Sequence, residues 1–517
     1  MSSTNLWNTL GTTSADLERV YGFVLERGAP ASSREMAAHL IEQRLREEEK
    51  RAAEAASRRA PVYQPKQTYA AGQTLVFTAL ENREGVVKKV RAGDNPRLGE
   101  FQVMSVALDG ETKPREFAMA YTSGHPLNDD HAPALEAIPT DEAVVRYGEA
   151  VRENILQQLR ASKEFVHLDD GWFLRGLLPE IHAGYLNLAE AAIVQANDSV
   201  RTADLLKVLE IPEPRKSASH FALSLALAND PRFDDVGPAN DARWFLADLE
   251  LPEARERPRG LEATAARHVV LPAELETIVS ELIDEADLNG DADKPADLTR
   301  DEITLILTYP HRRAGTLPLT PSVRALLPAF NHARLRFNLV DAATKEKIVA
   351  YAVKEGNYVV GLGSWFNARK LSPGAFITLK RGEDRLTLII DCQPQRERGL
   401  WVRVARGVNG QVTFSQERRP VAHKYDEEML ILIGDPISLE AATEQARQVR
   451  SLGALLEQIF PELAKLSGAG RVHAKTLYSA VNIVRRAGPR AVMNALNESS
   501  AFDSVGGGYF VLNETHR

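Results

Sequence analysis

The sequence predicts a multi-domain α+β protein made of helix–hairpin modules and two small β-barrels, and three observations carry that expectation. At 517 residues the chain exceeds the size at which one hydrophobic core keeps growing. Two stretches, 68–122 and 302–391, break into short strands parted by Gly, Asp and Asn turns. One phrase also occurs three times: Phe, two residues, an aliphatic, a turn, an aromatic, then Phe and an aliphatic.

Composition narrows the class. No apolar run is long enough to span a bilayer, and the N-terminus lacks the basic-then-apolar pattern of a signal peptide, so a cytoplasmic location and no membrane partner are expected. Cys392 is the only cysteine, which excludes an internal disulfide or a cysteine-based metal cluster. The formal charge is −8, but its distribution matters more. From Arg300 to Lys424 there are 21 Lys+Arg against 10 Asp+Glu, a net +11 that leaves −19 for the rest. Just upstream, Pro272 to Glu302 holds 11 acidic and 2 basic residues. Such asymmetry points either to a nucleic-acid partner or to a basic domain resting on its own acidic neighbour.

Taken in order, residues 14–27 read as a helix with Leu17, Val20, Tyr21 and Val24 on one face. A second helix starts near Ser32, where Ser32-Ser-Arg-Glu35 spells a capping box, and continues with Met36 and Leu40. Residues 1–60 form a helical, partial N-terminal module. In 61–130, four strand-like runs begin at Thr74, Gly85, Phe101 and Arg115. This segment resembles an SH3-like or KOW-like barrel, serving as a spacer or offering Lys88, Lys89 and Arg91 to phosphates. Segment 131–180 holds a helix and the first copy of the phrase, Phe165 to Leu174, completing the N-terminal module if the barrel is inserted between them.

The two later copies, Phe233 to Leu246 and Phe502 to Leu512, each follow three short helices. Helix–helix–helix–hairpin is the order of a winged helix, and 181–250 resembles the HARE-HTH winged helices of RNA polymerase delta subunits and chromatin or restriction-associated proteins. In that family the third helix lies in the major groove. The resemblance places Arg215 and Lys216 at one recognition-helix start, and Arg490 at that of the C-terminal winged helix, 425–517. Such modules serve DNA or protein contact, and the acidic hairpin around Asp234 favours neither. Between them, 251–299 reads as an acidic linker. Its Asp287-Leu-Asn-Gly-Asp-Ala-Asp lacks the glycine and glutamate positions of a calcium loop, so no metal is expected.

In the basic segment 300–424, Leu335, Phe337 and Leu339 alternate with Arg334, Arg336 and Asn338, which implies a strand with its arginines toward solvent. The order is strand, basic loop, strand, helix, three strands, helix, two strands. Gly315-Thr-Leu-Pro-Leu-Thr-Pro-Ser, Tyr358-Val-Val-Gly-Leu-Gly-Ser-Trp-Phe and Leu371-Ser-Pro-Gly-Ala-Phe-Ile-Thr-Leu resemble the pseudobarrel DNA-binding domain of plant auxin-response factors and of restriction-enzyme specificity domains. Ala375 departs from that pattern where an acidic residue is usual, and the loop before Tyr358 is short. The resemblance implies two arms gripping the major groove: Tyr309 to Thr316, with His311, Arg312 and Arg313, and a second arm with Lys354 and Asn357. Arg and Asn at base edges and Arg369, Lys370, Lys380 and Arg381 at phosphates suit that role chemically. Trp365 and Phe366 are expected to plug the barrel core.

No phosphate-cradling Gly-x-x-x-x-Gly-Lys, His-Glu-x-x-His or Gly-x-Ser-x-Gly occurs. The expectation is a non-enzymatic bacterial double-stranded-DNA-binding protein without cofactor, acting in transcription regulation or at the nucleoid. The alternatives are a protein adaptor docking on RNA polymerase and the DNA-recognition subunit of a defence or restriction system.

Overall fold

The computed structural model describes residues 13–58, 60–80, 82–95, 100–122, 125–128, 139–211, 216–263, 267, 269–288 and 301–513. The chain divides into two units, Met1–Pro179 with Glu213–Phe221, and Glu180–Pro212 with Ala222–Arg517. It is a mixed α+β protein with several sheets, two of them curled into half-barrels.

In the first unit, helix α1 (Ser14–Arg27) opens on a reciprocal cap between Thr13 and Asp16 and closes on Gly28, whose φ of 60° relieves the last turn. Strand β1 (Ala31–Ser32) leads into α2 (Ser33–Arg58). The capping box is present: Ser32 N–H donates to Glu35 Oε2 at 2.8 Å, and Glu35 N–H to Ser32 Oγ at 3.2 Å. Strands β2 (Thr74–Phe77), β3 (Arg83–Ala92), β4 (Gln102–Leu108) and β5 (Arg115–Met119) form an antiparallel meander over Leu75, Phe77, Val87, Met104 and Val106. Helix α3 (Thr140–Ala161) then precedes the hairpin β6 (Phe165–Leu168) and β7 (Gly171–Leu174). β1 pairs with β7, Ala31 opposite Trp172, so the hairpin takes its third strand from before the meander. Residues 14–58 and 140–174 thereby join around an inserted four-stranded sheet.

The second unit begins with α4 (Ala183–Ala196), β8 (Val200–Arg201), α5 (Thr202–Val208), α6 (Lys216–Ala228), β9 (Phe233–Asp235) and β10 (Arg243–Leu246). Helix α6 is shared, its residues up to Phe221 belonging to the first unit. The pattern of β1 recurs: β8 pairs with β10, Val200 opposite Trp244. Trp244 Nε1 donates to Thr202 Oγ1 at 2.8 Å, and that hydroxyl lies 3.0 Å from Ser224 Oγ, so the buried indole N–H is satisfied.

Segment 251–299 is not a loose linker where it is described. It contains α7 (Pro252–Arg255) and α8 (Ala273–Glu281), and Leu261, Leu271, Leu275, Ile278 and Leu282 are buried. The apolar residues between its charges find a core to join. Of the calcium-like stretch, Asp287 and Leu288 are described and the rest lies outside the described residues.

The central sheet comprises β11 (Glu302–Ile306), β12 (Thr316–Pro318), β13 (Arg334–Asp341), β14 (Lys347–Val353), β15 (Tyr358–Val360), β16 (Phe376–Arg381) and β17 (Thr387–Asp391). Its order is β11-β16-β17-β13-β14-β15-β12, with β13 and β17 parallel and every other pair antiparallel. Tyr309–Ala314, expected as a loop, is a helix, because Pro310 suits its first turn and Gly315, at φ 68°, ends it. Short helices at Pro321–Leu326 and Gly363–Ala368 complete the domain. Trp365 and Phe366 are buried, and Trp365 Nε1 donates to Asp341 Oδ2 at 2.5 Å. Ala375 is fully buried and bridges Tyr425, which leaves no room for the acidic side chain usual in the resembling family.

The basic stretch divides after Asp391. β18 (Pro394–Val408) and β19 (Gln411–His423) form a long ribbon in a separate sheet with β20 (Ile431–Ile433). The chain ends in helices Ser438–Gln448, Leu452–Ala464, Ala474–Val484 and Pro489–Glu498, with β21 (Val472–His473), β22 (Phe502–Gly506) and β23 (Tyr509–Leu512). Val472 lies opposite Phe510. The repeated phrase is therefore out by one in the last copy: Phe510, not Tyr509, takes the place of Trp172 and Trp244. The register shift between Ser504 and Gly506 absorbs the difference.

Arg334 and Arg336 do not face solvent. They meet the acidic hairpin: Arg334 Nη2 lies 2.9 Å from Asp234 Oδ2, His332 Nε2 lies 3.0 Å from Asp235, and Arg336 pairs with Asp198 with its guanidinium 4.8 Å from the Phe245 ring centre. Arg336 N–H donates to Val236 O at 2.9 Å, and Tyr351, Val353 and Tyr358 share one core with Leu223, Trp244 and Phe245. The basic strand is seated on its own acidic neighbour.

Glu250 lies inside this junction, its Oε2 2.9 Å from Arg334 Nε without hydrogen-bond alignment. Burial, with Asp234 nearby, outweighs Arg334 and pushes its pKa up from 4.5 to about 7. Between those values the folded carboxyl keeps a proton that the unfolded chain has lost, so this group makes stability fall as pH rises through that window. Glu250→Gln is expected to remove the effect. Urea midpoints at about pH 5 and about pH 8 should lie closer together in the variant than in the parent, and an unchanged gap would refute the assignment.

Candidate nucleic-acid interface

The first expected arm is built into the protein interior. In the Tyr309–Ala314 helix, His311 is 1% exposed, with Nδ1 2.8 Å from Thr316 Oγ1 and Nε2 2.8 Å from Glu285 Oε2. Both ring nitrogens are occupied, so it offers none to a base edge. Arg312 donates from Nε to Leu371 O at 2.7 Å and from Nη2 to Asn367 Oδ1 at 2.8 Å. Arg313, by contrast, is exposed.

The second arm is a tight turn. Asn357 adopts φ 52°, and its Oδ1 accepts from Arg324 Nη2 at 2.9 Å, while Lys354 is half-buried. Arg369 is held on Asp341, with Nη2 2.5 Å from Oδ1. Burial opposes ionisation of Asp341, but backbone N–H groups, Trp365 and Arg369 hold its carboxyl well below the usual range. Lys370 is exposed at φ 50°. Lys380 is exposed opposite Glu302, and Arg381 donates to Ala325 O at 2.6 Å. Arg490, expected at the start of a recognition helix, instead grips Glu276 of α8 through two bonds of 2.9 and 2.8 Å. Lys216 begins α6, while Arg215 lies outside the described residues. These side chains do not assemble one interface; Arg313, Lys370 and Lys380 remain outward.

The reason is a second meeting of acidic and basic segments. Arg486 Nη1 donates to Asp284 Oδ2 at 2.8 Å and Nη2 to Glu285 Oε1 at 2.8 Å, and Tyr478 OH donates to Asp284 Oδ2 at 2.6 Å. All four are buried. Burial opposes ionisation of Glu285, but His311 and Arg486 outweigh it and hold its carboxyl well below the usual range. Burial likewise opposes the charge of Arg486, yet Asp284 and Glu285 raise its pKa well above the ordinary value. Asp284, Glu285 and His311 have the donor types of a metal site. Arg486 already supplies the compensating cation there, so the cluster is a buried ion network in this chain.

Sequence reasoning missed the ribbon β18–β19. Its inner end is buried through Ala405, Val412 and Phe414, but on the outer half of the same face Gly399, Trp401, Gln416, Arg418 and Pro420 are exposed. Trp401 is 71% exposed and lies directly opposite Arg418; Arg396 and Arg419 are exposed on the same ribbon. The signal was available: Asn409-Gly410, both at positive φ, stands between Val402/Val404 and Val412/Phe414, which is a strong hairpin pattern.

Comparison with protein-family models, with curated proteins and with solved structures returned no match. Among the described residues no helix is long and apolar enough to cross a membrane.

Removing one partner of a buried ion pair typically costs about 3–5 kcal/mol, because the remaining charges stay buried. Arg486→Ala should therefore destabilise the chain by about that amount in denaturant unfolding, whereas Lys207→Ala, at an exposed pair, should cost under ~1 kcal/mol. Equal effects would remove the network from its structural role.

Proposed function

We propose that this is a non-enzymatic double-stranded-DNA-binding protein, and that the outer half of the β18–β19 ribbon is its principal contact. The observation that carries the reading is Trp401, 71% exposed and paired across the ribbon with Arg418. A two-stranded ribbon fits the major groove. There Arg418 would span the two acceptors of guanine, Trp401 would lie against a thymine methyl, and Arg396 and Arg419 would meet phosphates. The net positive charge of 300–424 supports the same ligand.

In this reading the central sheet is a pseudobarrel that carries the ribbon rather than gripping DNA through 309–316 and 354–357, whose His311, Arg312 and Asn357 are engaged internally. The three modules that share a short strand, helices and a hairpin are winged helices. Their setting is transcription regulation, the nucleoid or host defence. A second reading, an adaptor docking on RNA polymerase or another protein, is favoured by the contact of α8 with the Pro489–Glu498 helix, which engages Arg490. An exposed Trp beside Arg also has hot-spot chemistry for a protein partner.

Fluorescence anisotropy with a labelled duplex at ~100 mM salt tests the proposal. Trp401→Ala and Arg418→Ala are each expected to weaken binding by about tenfold, on the order of 1–3 kcal/mol. Trp172, Trp244 and Trp365 are buried, and the part of the iodide-accessible emission that Trp401→Phe removes should be quenched by duplex binding. Binding no stronger than that of an acidic control protein would sink the reading. Preference for single strands would replace groove contact by base stacking.

A further inference from the structure

A cleft of about 730 Å³ in the second unit is lined by Arg259, Arg313, Arg447, Arg485 and Arg486, with Glu262 as the only carboxylate among its lining residues. These arginines come from three separate parts of the chain: the 258–262 segment, the Tyr309–Ala314 helix, and the C-terminal helical region that supplies Arg447, Arg485 and Arg486. Convergence of like charges from distant elements costs free energy unless a counter-charge is present.

Arg486 is compensated, but for Arg259, Arg313 and Arg485 that need is unmet among the described residues. Arg486 spends both terminal nitrogens on Asp284 and Glu285, while its buried Nε has no hydrogen-bond partner. Arg485 Nη1 donates to a backbone carbonyl, Val449 O, at 2.9 Å, which leaves its charge uncompensated by that bond. Arg447 pairs with Glu444 at 3.1 Å in an exposed contact of small worth. Arg259 and Arg313 are exposed, and no ion pair or side-chain hydrogen bond involves either among the described residues. One wall is apolar, with Tyr309, Pro310 and Ile483.

We propose that this cleft is a binding site for a phosphate polyanion, with the exposed Arg259 and Arg313 and the backbone-anchored Arg485 as its clamps. Planar guanidinium forks match the oxygens of phosphate, and several of them together favour a ligand carrying two or more negative charges. The volume lies within the range of small-ligand pockets, and Tyr309 and Pro310 offer a surface on which a base could lie. Two sources share this chemistry: a free nucleoside polyphosphate and the backbone of a bound nucleic acid. The site rests on its own residues and does not require the ribbon to bind DNA.

The test uses the full chain in phosphate-free and sulfate-free buffer. Isothermal titration with inorganic pyrophosphate and with ATP is compared between the parent, the double variant Arg259→Ala/Arg313→Ala, and the control Lys207→Ala. Anisotropy with the duplex is run on the same proteins. Since Arg259 and Arg313 are exposed, the double variant should fold, and its circular dichroism and melting curve should match the parent. Saturable binding of pyrophosphate or ATP that weakens at least tenfold in the double variant assigns the cleft to a free polyphosphate. Absence of that binding, with duplex affinity lowered and its log–log salt slope reduced by about 1–2 in the double variant, assigns it to a nucleic-acid backbone. No titration signal together with unchanged duplex affinity and slope overturns the proposal, even where Trp401→Ala weakens DNA binding. Conversely, a normal duplex affinity in Trp401→Ala alongside either positive result leaves the cleft standing and removes the ribbon reading.

Discussion

The buried contact of Arg486 with Asp284 and Glu285 is the constraint on which much of the second unit depends. One guanidinium joins the C-terminal helices to the acidic segment ahead of the central sheet, and Glu285 passes the connection to His311 on the Tyr309–Ala314 helix. Charges without water must be matched by geometry, and the hydrogen bonds here tie three chain segments together: 284–285, the Tyr309–Ala314 helix and 478–486. That is why the Tyr309–Ala314 helix has no freedom to act as a gripping arm. It is also why the described part of the acidic segment, 269–288, packs into a core rather than forming a solvated linker.

The same logic operates where the acidic hairpin meets β13. Arg334 and Arg336 stand at alternate positions of a strand, and period alone would send them to water. Asp198, Asp234 and Asp235 instead bring counter-charges to that face, and the Arg336 guanidinium lies over the Phe245 ring. Pairing with acidic residues from outside 300–424 takes up Arg334, Arg336 and Arg403, a part of the positive charge that makes this segment look like a nucleic-acid surface. Arg313, Lys370, Lys380 and, on the outer ribbon, Arg396 and Arg418 keep theirs facing outward, while Arg419 is paired with Glu417.

Three hairpins share one solution to the marginal stability of a lone two-stranded ribbon. Each recruits a two-residue strand immediately before a helix, so that Ala31, Val200 and Val472 face Trp172, Trp244 and Phe510. In the first copy the recruited strand lies more than a hundred residues upstream, across an inserted sheet. The phrase in the sequence points to the hairpins. Their third strand, too short to show a period, and the one-residue offset of the last copy emerge only from register.

Local signals in the sequence determined many of the helices, most strands, the capping box at Ser32 and the burial of Trp365 and Phe366. In each case a cap, a period or an aromatic cluster acts within a few residues. Asn409-Gly410 was equally legible, and with it the ribbon that carries Trp401. Tertiary structure alone decided which charges are free, because a side chain's partner across a hundred or more residues leaves no mark in local pattern. Arg334 with Asp234, Arg490 with Glu276, and Arg486 with Asp284 are such pairs. Composition could state that positive charge was in excess over 300–424. Only the fold could show that part of it is neutralised by acidic residues from outside the segment, at Arg334, Arg336 and Arg403, and that an exposed tryptophan and an arginine-lined cleft stand elsewhere.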